Sequence, residues 1–225
     1  MSKPVVVLDP GHGGYDPGAV AYGLQEKDLN LKLALKLVDR LSGVKVLLTR
    51  KSDIFVSLAD RVALSRRAKA DLFLSLHANA GGGRGFESFV SSSLGPNSAA
   101  LKMQRVLHSQ IMAELEPWNI VDRGLKQAAF YVLRHNPYPA VLIESLFIDN
   151  EREARLWEEP LFIESLADGI TGGIFNALGL PENVLTLPGP LYTVQVGAFK
   201  YIDNARFRLE EAKRAGFEDA YIKQC

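Results

Sequence analysis

Four short apolar runs lie in the first 150 residues of the chain, and none of them alternates regularly with polar residues. The runs are VVVLD at 5–9, VKVLLT at 44–49, LFLSLH at 72–77 and AVLIE at 140–144. Runs of this length, rich in leucine and β-branched residues, are typical of strands that are covered on both faces. The pattern therefore predicts four buried strands.

Longer segments with helical spacing of apolar residues lie between and after these runs. The first segment, residues 26–41, places one stripe of leucines on a single face: Leu29, Leu33, Leu37 and Leu41. Similar patterns predict three more helices, over residues 57–70, 97–115 and 160–179. Strands that alternate with helices indicate an α/β fold, with a mainly parallel twisted sheet and helices on both of its faces.

The last 46 residues differ from the rest of the chain. LPENVLTLPGP, at 180–190, holds three prolines and is typical of a linker. Beyond it the pattern predicts a strand, a helix and the start of a second strand, over 191–199, 203–216 and 220–224. The predicted organisation is a main domain, a linker and a strand–helix–strand tail, over 1–179, 180–190 and 191–225. The tail is too small to bury a sufficient core alone.

The charges of the chain balance, because 26 lysines and arginines stand against 26 aspartates and glutamates. This balance gives no support to nucleic-acid binding or to an anionic membrane surface, which need clustered positive charge. The single cysteine, Cys225, excludes intrachain disulfides and a zinc site built from thiolates. No apolar window is long enough for a signal-peptide core or a transmembrane helix, so we expect neither an export signal nor membrane insertion.

Histidines and carboxylates lie where the predicted strands end. His12 follows the first strand within DPGHGG, His77 ends the third strand, and Glu144 ends the fourth. Glu26 begins the first long helix, where the helix dipole favours a carboxylate. Because the carboxyl ends of parallel strands meet at one edge of a sheet, we expect these four side chains to lie close together.

Imidazole and carboxylate groups are good ligands for zinc. The sequence therefore predicts a three-ligand site made of His12, Glu26 and His77. Its fourth position is left open, as in catalytic zinc sites. Glu144 closes an apolar strand, where a carboxylate is costly to bury unless it is paired or functional. Beside a metal it would serve as a general base and then a general acid.

Each of these residues, taken singly, is also compatible with a simpler role. The glycine-rich turn at His12 is compatible with a tight loop or with a phosphate cradle of backbone amides. Glu26 is compatible with a surface acid at a helix start, His77 with a hydrogen-bonded histidine, and Glu144 with a salt bridge to an arginine. The two remaining histidines are His108, within a predicted helix, and His135, on a proline-bounded loop near the predicted edge. We expect a solvated or packing role for the first, and for the second either a plain loop role or a substrate contact.

Four ordered blocks carry a resemblance to a known family. They are VVVLDPGHGGYDPGAVAYGLQEKDLNLKLALKL, LLTRKSD, LADRVALSRRAKADLFLSLHANA and YVLRHNPYPAVLIESLFIDN. Together they resemble the zinc-dependent N-acetylmuramoyl-L-alanine amidases, and in particular the sporulation and autolytic wall amidases of Gram-positive bacteria. The resemblance covers about residues 4–178 and implies a phosphorylase/hydrolase-like α/β domain.

The resemblance implies one zinc ion held by His12, Glu26 and His77, with Glu144 as the catalytic residue. It also implies that Asn79 and Glu87 lie near the substrate. The implied reaction hydrolyses the amide between the lactyl group of N-acetylmuramic acid and L-alanine of the peptidoglycan stem peptide. Two alternatives stay open: a zinc exopeptidase on a related scaffold, and a catalytically degenerate protein that only binds the wall.

The tail resembles half of a sporulation-related repeat (SPOR) domain, which implies binding to peptidoglycan glycan strands. A full domain of this kind holds two such halves, so we expect the sequence to be a piece of a longer chain. Because no signal peptide is found, we expect an enzyme that acts on the bacterial cell wall but stays in the cytoplasm until lysis releases it.

Overall fold

A computed structural model of the protein describes residues 3–181, 197 and 199–217. The chain divides into two units, Met1–Val184 and Leu185–Cys225. The strands of the first unit are β1 (Val5–Pro10), β2 (Val20–Ala21), β3 (Leu24–Gln25), β4 (Lys45–Leu48), β5 (Leu72–Asn79), β6 (Phe86–Ser91), β7 (Asp122–Ala128) and β8 (Ala140–Phe147). Its helices are α1 (Glu26–Arg40), α2 (Leu58–Ala68), α3 (Ala99–Glu114), α4 (Tyr131–Arg134), α5 (Glu151–Leu156) and α6 (Pro160–Ala177), with a 3-10 turn at Glu116–Trp118.

Six strands form one sheet in the order β4-β1-β5-β8-β6-β7. Every neighbouring pair is parallel except β6 and β8, which are antiparallel. The short strands β2 and β3 form a separate antiparallel hairpin just before α1. The predicted α/β fold with a mainly parallel sheet is therefore confirmed.

Two strands of the sheet, β6 and β7, are absent from the sequence prediction. Their polar content explains this, since FESFVS and DRGLKQA contain no continuous apolar run. In β7 exposed and half-buried residues alternate, as expected for an edge strand with a solvated face. β8 also extends three residues beyond the predicted end, to Phe147, so that Glu144 lies within the strand.

Helices cover the two faces of the sheet unequally. On one face, α1, α3 and α6 enclose the larger core cluster, which includes Leu8, Leu74 and Ile143. On the other face, α2 and α4 enclose a smaller cluster, which includes Val7, Phe73 and Leu142. We call this second side the α2/α4 face.

Side chains alternate between the faces of a strand, so each residue two positions further on shares a face. On the α2/α4 face each apolar residue is therefore followed along its strand by polar ones. Val7 is followed by Asp9 on β1, and Leu142 by Glu144 on β8. On β5, Phe73 is followed by Ser75 and His77. The apolar residues fill the part of the face beneath α2 and α4. The polar residues follow toward the carboxyl ends of β1, β5 and β8, and this arrangement places the candidate site.

The second unit is described at residues 197 and 199–217, where α7 (Ile202–Arg214) corresponds to the predicted tail helix. Most of the predicted linker and of both predicted tail strands lies outside the described residues. Across the part of the chain that the structure describes, no helix combines the length and the apolar character needed to cross a bilayer.

Candidate metal centre

The loop after β1 holds His12 in a conformation that few side chains adopt. His12 has φ of +60°, in the left-handed region, and Gly13 and Gly14 follow with φ of +131° and +60°. The His12 carbonyl accepts a hydrogen bond from Arg61 Nη2 at 2.8 Å. The imidazole Nδ1 contacts Asp16 Oδ2 at 2.9 Å, so that Nε2 is directed away from Asp16. In metal sites, a histidine usually donates the ring N–H that does not face the metal to a carboxylate.

Glu26 is the first residue of α1, and the residue is 5% exposed. Backbone N–H groups of Ala19 and Ala78 donate to its two oxygens at 2.9 and 3.2 Å. The Asn30 side chain, one turn further along the helix, lies 3.4 Å from Oε1. The carboxylate is therefore fixed by the residue just before the hairpin, by β5 and by its own helix.

Glu26 lies between the two imidazoles predicted to share a metal with it. Its Oε2 lies 3.1 Å from His12 Nε2, and its Oε1 lies 2.8 Å from His77 Nδ1. One ligand atom from each of the three residues lies within 4.8 Å of the other two. In the described part of the chain this is the single group of three or more histidine, cysteine or acidic residues with such spacing. We call His12, Glu26 and His77 the ligand cluster.

The charges of the ligand cluster are strongly coupled. Burial alone would raise the pKa of Glu26, but hydrogen bonds from His12 and His77 hold it far below its usual range. Burial alone would lower the pKa of His12, yet Glu26 and Asp16 raise it to about 9. The pKa of His77 is raised in the same way, by Glu26 and by the negative charge of Glu144. A divalent cation would replace these imidazole protons as the partner of the carboxylate.

Two glycines leave room for the ligand cluster. A Cβ atom on Gly11 would lie 2.2 Å from His77 Cε1, and one on Gly18 would lie 2.5 Å from Glu26 Oε2. Such distances are impossible for real carbon atoms, so both positions require glycine where the ligands approach the backbone. Two imidazoles and one carboxylate, packed this closely and held from behind, fit a zinc ion.

Changing Gly11 to alanine tests this close approach. We expect Gly11→Ala to displace the His77 ring and to weaken zinc binding by about 10- to 100-fold, as loss of ligand support does elsewhere. Gly95→Ala is the matched control, because no atom lies within 4 Å of its Cβ position and its φ is not positive. Competition for zinc with a coloured chelator gives both affinities. Equal affinities in the two variants would contradict the geometry.

Glu144 faces His77 directly across β5 and β8. Burial raises its pKa to about 7; His77 opposes this shift, and the charges of Glu26 and Glu87 add to it. Its Oε2 is buried and has no hydrogen-bond partner among the described residues. A carboxylate in this state, next to a metal-binding imidazole, is suited to exchange a proton with a reacting molecule.

Glu87 lies beside Glu144 on the next strand, β6. Asn79 Nδ2 donates to Glu87 Oε1 at 2.7 Å, and Arg123 Nε donates to Oε2 at 2.7 Å. Lys126 Nζ donates to the same Oε2. Burial would raise the pKa of Glu87, but Lys126, Arg123 and Asn79 hold it below its usual range. Sequence reasoning missed both cations, because they lie on a strand that it did not predict.

Two buried arginines brace the loop that carries His12. Arg50 is 1% exposed and donates to the carbonyls of Pro10 and Gly11 at 3.0 and 2.9 Å. Arg61 donates to the carbonyl of Pro10 and to Asp9 Oδ1, both at 2.7 Å. Neither arginine stands out in the sequence, because Arg50 lies within TRKSD and Arg61 follows Asp60.

Removing Arg61 should destabilise the fold, because it leaves the buried Asp9 carboxylate without its charge partner. We expect Arg61→Met to lower the free energy of unfolding by about 3 kcal/mol. Arg66→Met, on the exposed side of the same helix, should change it by less than about 0.5 kcal/mol. Urea unfolding of both variants in the presence of a chelator measures the difference. Similar midpoints would show that the buried pair contributes nothing.

The two other histidines lie apart from the ligand cluster. His108, on α3, contacts Ser88 Oγ at 2.9 Å and Asp122 Oδ1 at 2.8 Å, and thus joins the helix to β6 and β7. His135 directly follows α4 and packs against Tyr131. It precedes β8 and therefore lies near the edge where β5 and β8 begin, opposite the ligand cluster. The sequence predicts His135 near the edge where the strands end, whereas the structure places it at the edge where they begin.

A family model of N-acetylmuramoyl-L-alanine amidases matches residues 6–176 of the chain. The chain belongs to the N-acetylmuramoyl-L-alanine amidase family. Apart from the first residue of β1 and the last of α6, the match includes the eight strands and six α-helices described in the first unit, together with the ligand cluster and Glu144. The prediction that the chain is an enzyme of this class is therefore confirmed.

Individual relatives agree with this membership of the amidase family. The sporulation-specific N-acetylmuramoyl-L-alanine amidase of Bacillus subtilis (strain 168) is 42% identical over 221 residues, which cover 96% of this chain and 84% of the relative. The endolysin of Bacillus phage SPP1 is 45% identical over 186 residues, covering 81% of this chain and 68% of the endolysin. The solved catalytic domain of the amidase CwlV from Bacillus (Paenibacillus) polymyxa var. colistinus has a TM-score of 0.72 and 33% identity, covering 79% of this chain and 99% of that domain.

Proposed function

We propose that this amidase hydrolyses the bond between the lactyl group of N-acetylmuramic acid and L-alanine of the peptidoglycan stem peptide, with one zinc ion. The observation that carries the proposal is the juxtaposition of the ligand cluster and Glu144 at one edge of the sheet, in a chain of this family. His12, Glu26 and His77 would hold the ion. When bound, zinc supplies a Lewis acid that polarises the scissile carbonyl and favours ionisation of water.

Glu144 performs the proton transfers in this proposal. Its buried Oε2 accepts a proton as water attacks the carbonyl carbon, and the carboxylic acid then donates that proton to the alanine nitrogen. The amide C–N bond breaks, giving a lactyl carboxylate and a peptide with a free amino terminus. The raised pKa of Glu144, about 7, makes both transfers accessible near neutral pH. Asn79 and Glu87, which are joined to each other, would line the same edge of the sheet.

The single ligand cluster of the described residues favours this function over a two-metal exopeptidase, which needs further ligands. A protein that only binds the wall would need no ligand cluster and no carboxylate with a raised pKa. The similarity to a sporulation-specific amidase and to a phage endolysin supports a role in cell-wall lysis.

The tail is proposed to bind glycan strands, as its resemblance to half of a sporulation-related repeat suggests. The test uses the full chain carrying Glu144→Gln, so that the wall is not digested during the measurement. We expect this chain to sediment with purified glycan strands that lack stem peptides. Absence from that pellet would overturn the proposal for the tail.

Digestion of purified muropeptides tests the proposed reaction. The full chain is incubated with them with zinc, with a chelator, and with the chelator followed by excess zinc. Mass spectrometry should show peptides with a free N-terminal alanine in the first and third samples only. Cleavage at another bond would overturn the proposed specificity, and undiminished cleavage under chelation would overturn the proposed metal dependence.

A further inference from the structure

The row of charged residues on the α2/α4 face continues past Glu144 to the edge of the sheet. His77, Glu144 and Glu87 lie opposite one another on β5, β8 and β6. The last strand, β7, then brings Arg123 and Lys126 to Glu87. We call Arg123 and Lys126 the cationic pair.

The cationic pair supplies more charge than Glu87 needs. One carboxylate faces two cations and the amide of Asn79. Asp122, the neighbouring acid on β7, contacts His108 at 2.8 Å on the opposite face and does not contribute here. The group formed by Glu87 and the cationic pair therefore carries one net positive charge.

Both cations remain open to solvent while their geometry is fixed. The Arg123 and Lys126 side chains are 33% and 35% exposed, whereas that of Glu87 is 7% exposed. The Arg123 guanidinium lies 4.8 Å from the ring centre of Phe147, and Lys126 lies above Phe89 at 5.8 Å. Buried Glu87 thus acts as a positioning residue that holds two partly exposed donors toward one anionic partner.

The distance from the cationic pair to the ligand cluster suits a peptide substrate. Neighbouring strands are about 4.8 Å apart, so the three steps from β5 to β7 span about 14 Å. An extended peptide covers that distance in about four residues. A peptide that begins at the scissile amide and runs across β8 and β6 therefore reaches the cationic pair within its first few residues.

The opposite flank of the ligand cluster has a different character. There Tyr15 stacks on Phe55 with ring centres 4.3 Å apart, and the two side chains are exposed. An exposed aromatic stack offers a flat apolar surface, which suits the uncharged sugar arm of a muropeptide better than its acidic peptide arm. The two flanks therefore give the substrate one direction across the sheet.

We propose that the cationic pair binds a free carboxylate on the peptide arm of the substrate, so that the enzyme selects acyl-L-alanyl peptides with an acid group within about four residues of the scissile amide. This inference rests on the proposed function. Arg123 presents a planar fork to the carboxylate and Lys126 presents a point charge. A carboxamide at the same position is neutral and loses this attraction.

The test compares matched muropeptides in which each peptide carboxylate in turn is replaced by a carboxamide. We expect one of these replacements to raise the KM of the unchanged enzyme roughly five- to tenfold, with kcat nearly constant. This is the effect of losing a partly exposed charged hydrogen bond. Arg123→Gln and Lys126→Met should each raise KM for the acid substrate and leave KM for that carboxamide unchanged. Because the pair is partly exposed, 0.5 M salt should reduce the preference.

Lys102→Met and Arg105→Gln are the matched controls, since both residues are exposed on α3 beyond the opposite face of the sheet. Arg123→Lys and Lys126→Arg, which keep the charges, should retain most of the preference even if the neutral variants fold poorly. The inference would be overturned if the unchanged enzyme had equal KM values for the acid and carboxamide muropeptides. It would also be overturned if the Arg123 and Lys126 variants raised KM equally for both substrates. Either result would leave the proposed function intact. No release of alanine-terminated peptide from any substrate would overturn the proposed function as well.

Discussion

The Glu144→Gln variant should hydrolyse muropeptides about 10³- to 10⁴-fold more slowly than the unchanged enzyme, with the loss in kcat. Glutamine keeps the shape of the side chain but cannot take a proton from water at neutral pH. Substrate binding should therefore persist, and KM should change little. The measurement is the initial rate of release of alanine-terminated peptide at equal zinc content.

The surroundings of Glu144 explain why we expect so large an effect. Its Oε2 is buried without a hydrogen-bond partner among the described residues, so the fold itself makes no use of that oxygen. Burial raises the pKa of Glu144 to about 7, near the pH at which a group both accepts and returns a proton efficiently. Loss of the carboxylate should therefore affect the reaction and not the stability of the protein.

Glu153→Gln is the matched control for this variant. Glu153 is also buried at the same end of the sheet, but its two oxygens accept hydrogen bonds from the backbone of Gly85 and Phe147 at 2.7 and 2.8 Å. Its amide variant would set an NH₂ group against a backbone N–H, so it should lose about 1–2 kcal/mol of stability and keep kcat within about twofold. Full kcat in Glu144→Gln, or an equal loss in Glu153→Gln, would contradict the assigned role.

The central strands could be predicted from the sequence because they are buried on both faces. VVVLD and LFLSLH stand out as apolar runs, and the residues after them project from the same edge of a parallel sheet. This rule predicts that His12, His77 and Glu144 lie together, and Glu26 joins them from the start of the first helix. Their roles as ligands and as proton carrier stay predictions, which the variants described for them test.

The edge of the sheet could not be predicted in the same way. β6 and β7 each leave polar residues on the α2/α4 face, so their apolar periodicity is weak. The antiparallel pairing of β6 with β8 also has no local signature, and it reverses the chain. His135 lies at the edge opposite the ligand cluster for a different reason, since it precedes β8 and β8 runs parallel to β5.

Long-range ion pairs explain the rest of the difference between prediction and structure. Arg61 reaches Asp9 across 52 positions, and Lys126 reaches Glu87 across 39. Neither spacing is a helical or strand repeat, so no periodicity in the sequence reports these contacts. The contacts that hold the ligand cluster and those that surround Glu87 therefore cannot be predicted from sequence periodicity and are seen only in the structure.

Loss of the metal should abolish activity and lower stability together. We expect the protein treated with a chelator to be inactive, and zinc at about 1,000 times its dissociation constant to raise the free energy of unfolding by about 4 kcal/mol. For a domain of this size that corresponds to a rise of roughly 8–16 °C in melting temperature. Scanning calorimetry with and without zinc measures this rise independently of activity.

Glu26→Gln should remove most of this effect, since Glu26 is the carboxylate between the two imidazoles. We expect zinc affinity to fall by at least about 10²-fold, because the variant loses the anionic ligand and the partner that orients both rings. Glu151→Gln is the matched control: Glu151 also begins a helix, but it is exposed and pairs with Arg155. The control should bind one zinc per chain and melt like the unchanged protein.

The two measurements separate the ligand cluster from a merely structural ion pair. If Glu26 only neutralised His12 and His77, Glu26→Gln would lower the melting temperature of the metal-free protein and leave the zinc-induced rise intact. If the three residues hold the ion, the zinc-induced rise itself falls to about a third or less, because affinity enters that rise directly. A full rise in Glu26→Gln would therefore remove the basis for a metal at this edge of the sheet.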